Sequence, residues 1–255
     1  QSLGAPTLSA DPADSDWTSE LDTGNEDSTM AFGKRELHPW PLAKRIKVSK
    51  KLMRSSPLSM ATFVPNRLGY KTGVAQSKAF NTGTGAAQPL GIFTASADGI
   101  PTSREVEVGN GSNALSDTKV IDARYTLKEG YAKAASARWI MHRLWFAKYR
   151  PLKATPADYL WQPGLSRGDP VGMMLLDIPV VLDEYSPSTT THGAGVYSAV
   201  VGDFQYFWIV DALTQEIQRL EELYAATNQV GFIIRSETDG MPVLSEAFVR
   251  CLNAT

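Results

Sequence analysis

The chain has 255 residues, of which 43% are hydrophobic and 20% are charged, and its formal net charge is −2. This length can bury one large core or two smaller ones, and the composition is typical of a folded soluble protein. No apolar stretch approaches the roughly 20 residues that a membrane-spanning helix needs, so we predict no membrane contact. A single cysteine, Cys251, excludes an internal disulfide and indicates a reducing cytoplasm.

The charges are distributed unevenly along the first 54 residues. Residues 1–33 contain no Lys or Arg, whereas residues 34–54 contain eight basic side chains against the single Glu36. The carboxylates of the first stretch are Asp11, Asp14, Asp16, Glu20, Asp22, Glu26 and Asp27. One interpretation is a pair of solvated segments, and a second is that the acidic segment of one subunit binds the basic segment of a neighbour. The second interpretation predicts inter-subunit contacts at Asp14, Asp16, Trp17, Glu20, Asp22, Lys44, Arg45, Lys47, Lys50 and Lys51.

Nucleic-acid binding by the basic stretch is a third interpretation. The stretch lacks the interleaved aromatic residues of single-strand binders, and the chain as a whole lacks the basic balance of a DNA reader. Residues 1–33 are also poor in large apolar side chains, so they cannot bury enough surface to fold alone. We therefore expect a second chain to order them.

The first elements after this segment are an extended stretch and a long helix. Apolar and charged residues alternate over 42–53, which predicts a half-exposed strand. Ser56 and Pro57 are typical of a helix start, and apolar residues then recur at helical spacing until the glycines at 83 and 85. Pro65 lies inside this stretch and predicts a kink or a break.

Shorter elements follow along the rest of the chain. We predict helices at 120–135 and 144–149 and strands at 104–108, 137–141, 178–182, 199–201 and 206–210. The pair Asp239-Gly240 favours a tight turn, so 230–235 and 243–249 are predicted to form a hairpin. Because helices and strands alternate without a regular βαβ rhythm, the predicted class is α+β.

No catalytic, cofactor or metal site is predicted. His38, His142 and His192 are far apart and follow no metal-ligand spacing, and Cys251 in an apolar strand is expected to be inert. Residues 109–114 match a relaxed dinucleotide fingerprint, but their Asn and Ser residues favour a plain turn. We therefore do not expect the chain to be an enzyme.

Several segments, in the order in which they occur, resemble one family. These are the helical region 55–91 with its N-T-G-T-G-A-A-Q-P-L-G end at 81–91, A-R-W-I-M-H at 137–142, Y-L-W-Q-P-G at 159–164, I-P-V-V at 178–181, G-D-F at 202–204 and the tail from 228 to 248. Together they are similar to the major capsid proteins of tailed bacteriophages with the Hong Kong 97-like fold. The resemblance covers residues 42–255. Asp177, where a glycine is usual, and Pro65 in the helix depart from the pattern.

The resemblance implies an α+β capsid fold with a long spine helix, peripheral and axial domains, an extended hairpin loop and an N-terminal arm. The implied boundaries are an arm at 1–10, a loop at 11–41, a peripheral domain at 42–118 and 205–255 with the spine helix at about 56–80, and an axial domain at 119–204.

The implied function is a major capsid protein in the virion, assembled in the bacterial cytoplasm. It would form hexamers and pentamers of itself around non-specifically bound double-stranded DNA. Further implied partners are a portal and a scaffold or prohead protease, with a decoration protein left open. The alternatives are an encapsulin-type protein compartment and an α+β hydrolase.

Some members of the family join a loop Lys of one subunit to an Asn of its neighbour covalently. Here no Lys precedes Lys34, and only Asn228 lies near the position of the bonding Asn. We predict that this chain forms no such cross-link.

Overall fold

The computed structural model describes residues 3–10, 31–109, 115–152, 173–191 and 195–253. The helices are α1 (Lys50–Ser55), α2 (Met60–Thr82), α3 (Asp117–Thr126), α4 (Glu129–Ala132) and α5 (Arg143–Tyr149). The strands are β1 (Leu3–Ala10), β2 (Ala31–Leu37), β3 (Trp40–Ser49), β4 (Glu105–Glu107), β5 (Ala137–Met141), β6 (Met174–Leu175), β7 (Ile178–Leu182), β8 (Tyr197–Asp203), β9 (Phe207–Leu220), β10 (Gln229–Pro242) and β11 (Phe248–Leu252).

The long helix α2 packs on a three-stranded antiparallel sheet of order β3-β10-β9. Alternate residues of β10 face the helix, because successive side chains of a strand point to opposite faces. Val230, Phe232 and Ile234 form a buried cluster with Leu68 of α2. This cluster holds the helix against the sheet.

A six-stranded mixed sheet of order β4-β11-β8-β5-β7-β6 forms the rest of the core. One face carries the largest apolar cluster, which includes Trp139, Met141 and Trp145. The other face packs on a second cluster that includes Phe93 and Phe248. The central strands β8 and β11 are buried on both faces, which explains their nearly continuous apolar sequences.

The predicted hairpin around Asp239 is wrong. Strand β10 runs through Asp239 and Gly240, pairs with β9 and β3, and leaves β11 to the other sheet. The Asp239 carboxylate accepts the backbone N–H groups of His38 and Gly240. A Cβ on Gly240 would lie 2.9 Å from the Phe80 ring. Asp239 and Gly240 therefore lie within a strand and not in a turn. The absence of a side chain at Gly240 allows β10 to approach Phe80 of α2 closely.

Three local predictions around the helices also need correction. Residues 50–55 are helical, because Ser49 caps α1 by accepting the Lys51 N–H at 3.2 Å. Helix α2 begins at Met60, after Pro57, and continues without a break through Pro65, which removes a single backbone donor. The helix predicted over 120–135 is divided into α3 and α4, because the backbone becomes extended at the buried Leu127.

Strands β1 and β2 form a separate antiparallel ribbon that belongs to neither sheet. The segments assigned from the sequence to an arm and to a loop thus pair with each other within one chain. The two strand segments β4 and β11, which the sequence placed in the peripheral domain, lie in the six-stranded sheet. The domain boundaries themselves stay a prediction.

Candidate assembly surfaces

The ribbon of β1 and β2 joins the body of the protein at Leu37 and His38. The Leu37 side chain is fully buried, and the His38 backbone N–H donates to the Asp239 carboxylate at 2.6 Å. Burial raises the pKa of Asp239, although the two backbone hydrogen bonds act in the opposite direction. The base of the ribbon is therefore fixed by one apolar side chain and one buried carboxylate.

Charged side chains surround this base. Lys34 pairs with Glu36, and the Lys34 hydrogen bond lowers the pKa of that carboxyl. A cavity of about 520 Å³ lies beside the pair and is also lined by Arg35 and Asp98. Both signs of charge meet here, so the cavity favours neither an anion nor a cation.

The five basic residues predicted to make contacts lie on β3 and α1, but they do not form one patch. Lys44 is paired in register with Ile234 and shares its face with α2, whereas Arg45 and Lys47 are paired with Ile233 and Gly231 on the opposite face. Lys50 and Lys51 lie on α1. The alternation of a strand thus divides a run that is continuous in sequence.

These five basic side chains form no ion pair with a carboxylate within the described ranges of the chain. Arg45 lies over the Tyr224 ring, 5.7 Å from its centroid. Lys44, Arg45, Lys47 and Lys51 are exposed and Lys50 is half-buried. The surface therefore presents cations that are available to another partner.

A groove of about 470 Å³ lies between α1 and the far end of β9. Its polar lining includes Lys50, Arg54, Arg219 and Glu221, and Met53 and Val230 form its apolar part. Sequence reasoning missed Arg219, which is far from α1 in the chain and reaches the groove only because β9 and β3 flank β10. No local pattern around Arg219 indicates this neighbourhood.

The acidic half of the predicted contact, which comprises Asp14, Asp16, Trp17, Glu20 and Asp22, lies outside the described residues. Its contacts stay a prediction.

The glycine-rich end of the long helix connects α2 to the sheet. The Gly91 N–H donates to the Gly83 carbonyl at 2.9 Å, and the Leu90 N–H donates to the Gly240 carbonyl at 2.8 Å. A Cβ added to Gly83 would overlap the carbonyl oxygens of Pro89 and Ala79. The motif quoted at 81–91 thus makes backbone-to-backbone contacts that leave no room for a side chain at Gly83 or Gly91.

The backbone conformation of Asp177 explains why Asp can occupy a position where a glycine is usual. Asp177 has φ 67° in the turn between β6 and β7, in the left-handed region where glycine is favoured and Asp is tolerated. Asp here fits the backbone that a glycine would adopt.

Two described side chains with potentially reactive groups, His142 and Cys251, have structural roles. His142 Nδ1 accepts the Leu144 N–H and so caps α5. Burial raises the pKa of Cys251 to about 12, which keeps the thiol protonated and unreactive. No cluster of three metal-ligating side chains is present among the described residues, and no described helix is long and apolar enough to span a membrane.

The fold is similar to that of several solved structures, one of which is described as a capsid. The chain resembles "Capsid of native GTA particle computed with C5 symmetry" with a TM-score of 0.81 and 23% identity over 100% of this chain and 85% of that one. It resembles a chain of Mycobacterium phage Bobi (TM-score 0.68, 11% identity, 98% and 85% covered) and one of Mycobacterium phage Ogopogo (0.67, 14%, 98% and 86%). The predicted α+β capsid fold is confirmed.

The fold shows only a structural class, whereas the amino-acid sequence identifies the family of the chain. Residues 4–251 match the family model described as "Phage capsid family". The chain therefore belongs to the phage capsid family. No curated protein matches its sequence.

Proposed function

We propose that this phage capsid protein is the major shell subunit of a tailed-phage head and assembles into hexamers and pentamers around double-stranded DNA. The observation that carries the proposal is the ribbon of β1 and β2, which pairs with neither sheet of its own chain. An isolated two-stranded ribbon is at best marginally stable in water. A neighbouring subunit supplies the surface that such a ribbon lacks.

The charge of the subunit supports this function. A closed shell arises from head-to-tail interfaces whose rotation closes a ring, and many modest contacts add up across it. With a net charge of −2 the subunit does not grip the phosphates of packaged DNA strongly. Portal, scaffold or prohead protease and a decoration protein stay expectations of the family resemblance.

Electron microscopy of the purified chain tests self-assembly. We expect closed shells with five-fold and six-fold clusters, and a chain that stays monomeric up to high concentration contradicts the proposal. Particles formed during phage growth are expected to protect double-stranded DNA from nuclease. Particles that hold a cargo enzyme and no nucleic acid support the encapsulin alternative.

A further inference from the structure

We infer that the exposed face of α2 binds the phosphate backbone of double-stranded DNA through Arg67, Lys71 and Lys78. The inference rests on the proposed function, because it names the surface by which a shell subunit contacts the DNA that the shell encloses. These three side chains and the tyrosines beside them are called the α2 patch below.

The positive charge of the chain is concentrated in the segment that contains α2. Residues 37–97 hold nine of the 25 Lys and Arg residues and none of the 27 Asp and Glu residues. A strongly basic segment therefore lies within a chain whose net charge is only −2. Clustering of cations in one part of a protein is the electrostatic signature of a surface that contacts a polyanion.

The helix aligns three of these cations on its solvent-facing side. Arg67, Lys71 and Lys78 are exposed, whereas Leu68 and Thr72 on the side that faces the sheet are buried. At 3.6 residues per turn, spacings of four and seven residues place the three cations within about 40° of one line along the helix. The line is about 16 Å long at a rise of 1.5 Å per residue. Double-stranded DNA carries one phosphate charge per roughly 1.7 Å of its axis, so a duplex beside the helix offers a phosphate to each cation.

Two tyrosines connect the cations into one patch. The Arg67 guanidinium lies 4.7 Å from the centroid of the Tyr70 ring, and the Lys71 ammonium lies 6.0 Å from the same centroid. Tyr70 shares a hydrogen bond with Tyr185, whose ring centroid is 5.8 Å from the Lys78 ammonium. Contacts with an aromatic face hold these flexible side chains without neutralising them. The patch therefore keeps its full charge for an anion.

The described part of the chain supplies no carboxylate to these cations. None of the three forms an ion pair among the described residues. Two carboxylates lie next to Tyr185 in sequence, but both are engaged elsewhere. Asp183 accepts the side-chain amide of Asn81 at 2.5 Å. Glu184 is 3.0 Å from Arg143. The α2 patch is therefore available to an anion from outside the chain.

The shape of the α2 patch favours a DNA duplex over an acidic peptide. The patch lies on the convex outer side of a helix. A flexible peptide loses conformational entropy when it binds, and burial of apolar surface has to offset this loss. A duplex is already stiff over about 50 nm, and it binds through its phosphates alone. Three phosphate contacts per subunit give a weak attraction, in agreement with a subunit that does not grip DNA strongly.

The salt dependence of DNA binding by the full, unassembled chain tests the inference. Fluorescence anisotropy of a labelled DNA duplex measures the binding constant at a series of salt concentrations. The patch variant is Arg67→Gln, Lys71→Gln and Lys78→Gln. We expect the slope of the logarithm of its binding constant against the logarithm of salt concentration to be less steep than that of the wild type by about 2.7, since each phosphate contact contributes about 0.9. Binding at about 0.1 M salt should weaken at least about tenfold.

A control variant loses the same charge at other sites. It carries Lys119→Gln, Lys128→Gln and Lys133→Gln, and each of these side chains already pairs with a carboxylate of the chain. We expect the control variant to keep the slope of the wild type.

Substitutions at Tyr70 test the role of the aromatic ring. Tyr70→Phe keeps the ring and should bind DNA like the wild type. Tyr70→Ser should weaken binding about twofold to fivefold with an unchanged salt slope, because it loses the ring contact and no charge.

Three outcomes overturn the inference. The first is a wild-type chain that does not bind the duplex. The second is an equal loss of binding in the patch and control variants, which indicates an effect of net charge alone. The third is normal DNA binding by the patch variant together with assembly only at a higher protein concentration, which assigns the face to a contact between subunits. A wild-type chain that binds DNA through the α2 patch but forms no shells contradicts the proposed function instead. Thermal unfolding of each variant verifies its fold.

Discussion

Asp239 is a buried acidic residue at the base of the ribbon of β1 and β2. Its carboxylate lies at the base of the ribbon and accepts the N–H group of His38, which follows β2, and that of Gly240 on β10. Burial favours the protonated form and hydrogen bonding favours the ionised one, and burial is the larger effect on its pKa. The contribution of Asp239 to the stability of the chain therefore depends on pH.

We predict that Asp239 adds stability as the pH falls. Because its pKa is raised, the folded chain binds this proton more readily than the unfolded chain, so acidification through the folded-state pKa toward the ordinary Asp value relieves the cost of burial. The unfolding free energy of the wild type minus that of Asp239→Asn should increase over this range, as measured by urea unfolding of the unassembled chain.

Glu36 is the matched control for this prediction. Its pKa is lowered by Lys34, so its contribution is present above the ordinary Glu value and is lost as the pH falls through the folded-state pKa. The same difference for Glu36→Gln should therefore decrease on acidification. Equal slopes for the two variants would contradict the role of burial at Asp239.

We predict that substitution by alanine has opposite effects on stability at Gly83 and at Gly73. Gly83→Ala should destabilise the chain by about 3 kcal/mol, because the new methyl group overlaps two backbone carbonyls that cannot move independently. Gly73→Ala should stabilise it by about 0.5–1 kcal/mol, because a Cβ there meets nothing within 4 Å and alanine favours a helix. Denaturant unfolding measures both, and a loss at Gly73 similar to that at Gly83 would refute the steric argument.

Among the elements, α2 depends on packing more than on its own sequence. It contains Pro65, Gly69 and Gly73, all of which disfavour a helix, and yet it extends over 23 residues. Tertiary contact supplies most helical stability in proteins. The buried cluster with β10 explains why the helix does not break at Pro65, where a kink or a break was predicted.

The packing explanation for α2 predicts a large effect at Leu68. Leu68 is 1% exposed in the cluster with β10, so Leu68→Ala should cost about 3 kcal/mol by losing burial and leaving a cavity. Leu58, at 61% exposure before the helix, is the control, and its change to Ala should cost less than about 0.5 kcal/mol. A fall in helical circular dichroism well before the rest of the chain unfolds in Leu68→Ala would locate the effect in α2.

At the level of the assembled particle, the covalent state of the shell is open to direct measurement. We predict that mature particles dissolve on a denaturing gel into a single band at the monomer mass. The cross-link would join a Lys of one subunit to an Asn of its neighbour. Asn228, in the turn before β10, lies near the position of the bonding Asn, but residues 1–33 contain no Lys to react with it. A ladder of linked subunits contradicts this prediction.

The sequence by itself determined the class of this protein and its locally encoded elements. The segments at 81–91, 137–142 and 178–181 point to the capsid family, and the family match and the fold confirm that assignment. Strands β5 and β7 and helix α5 lie close to their predicted positions, because apolar alternation and a proline stop are properties of neighbouring residues.

Only the tertiary structure decided which distant residues share a surface. It extended β10 through Asp239 and Gly240, divided the basic run between two faces of a sheet, and brought Arg219 beside Lys50. The physical reason is that local patterns report periodicity and turn preference, whereas these outcomes depend on packing against segments far away in the chain. Phe80 against Gly240 is such a contact, and a turn prediction from two residues does not include it.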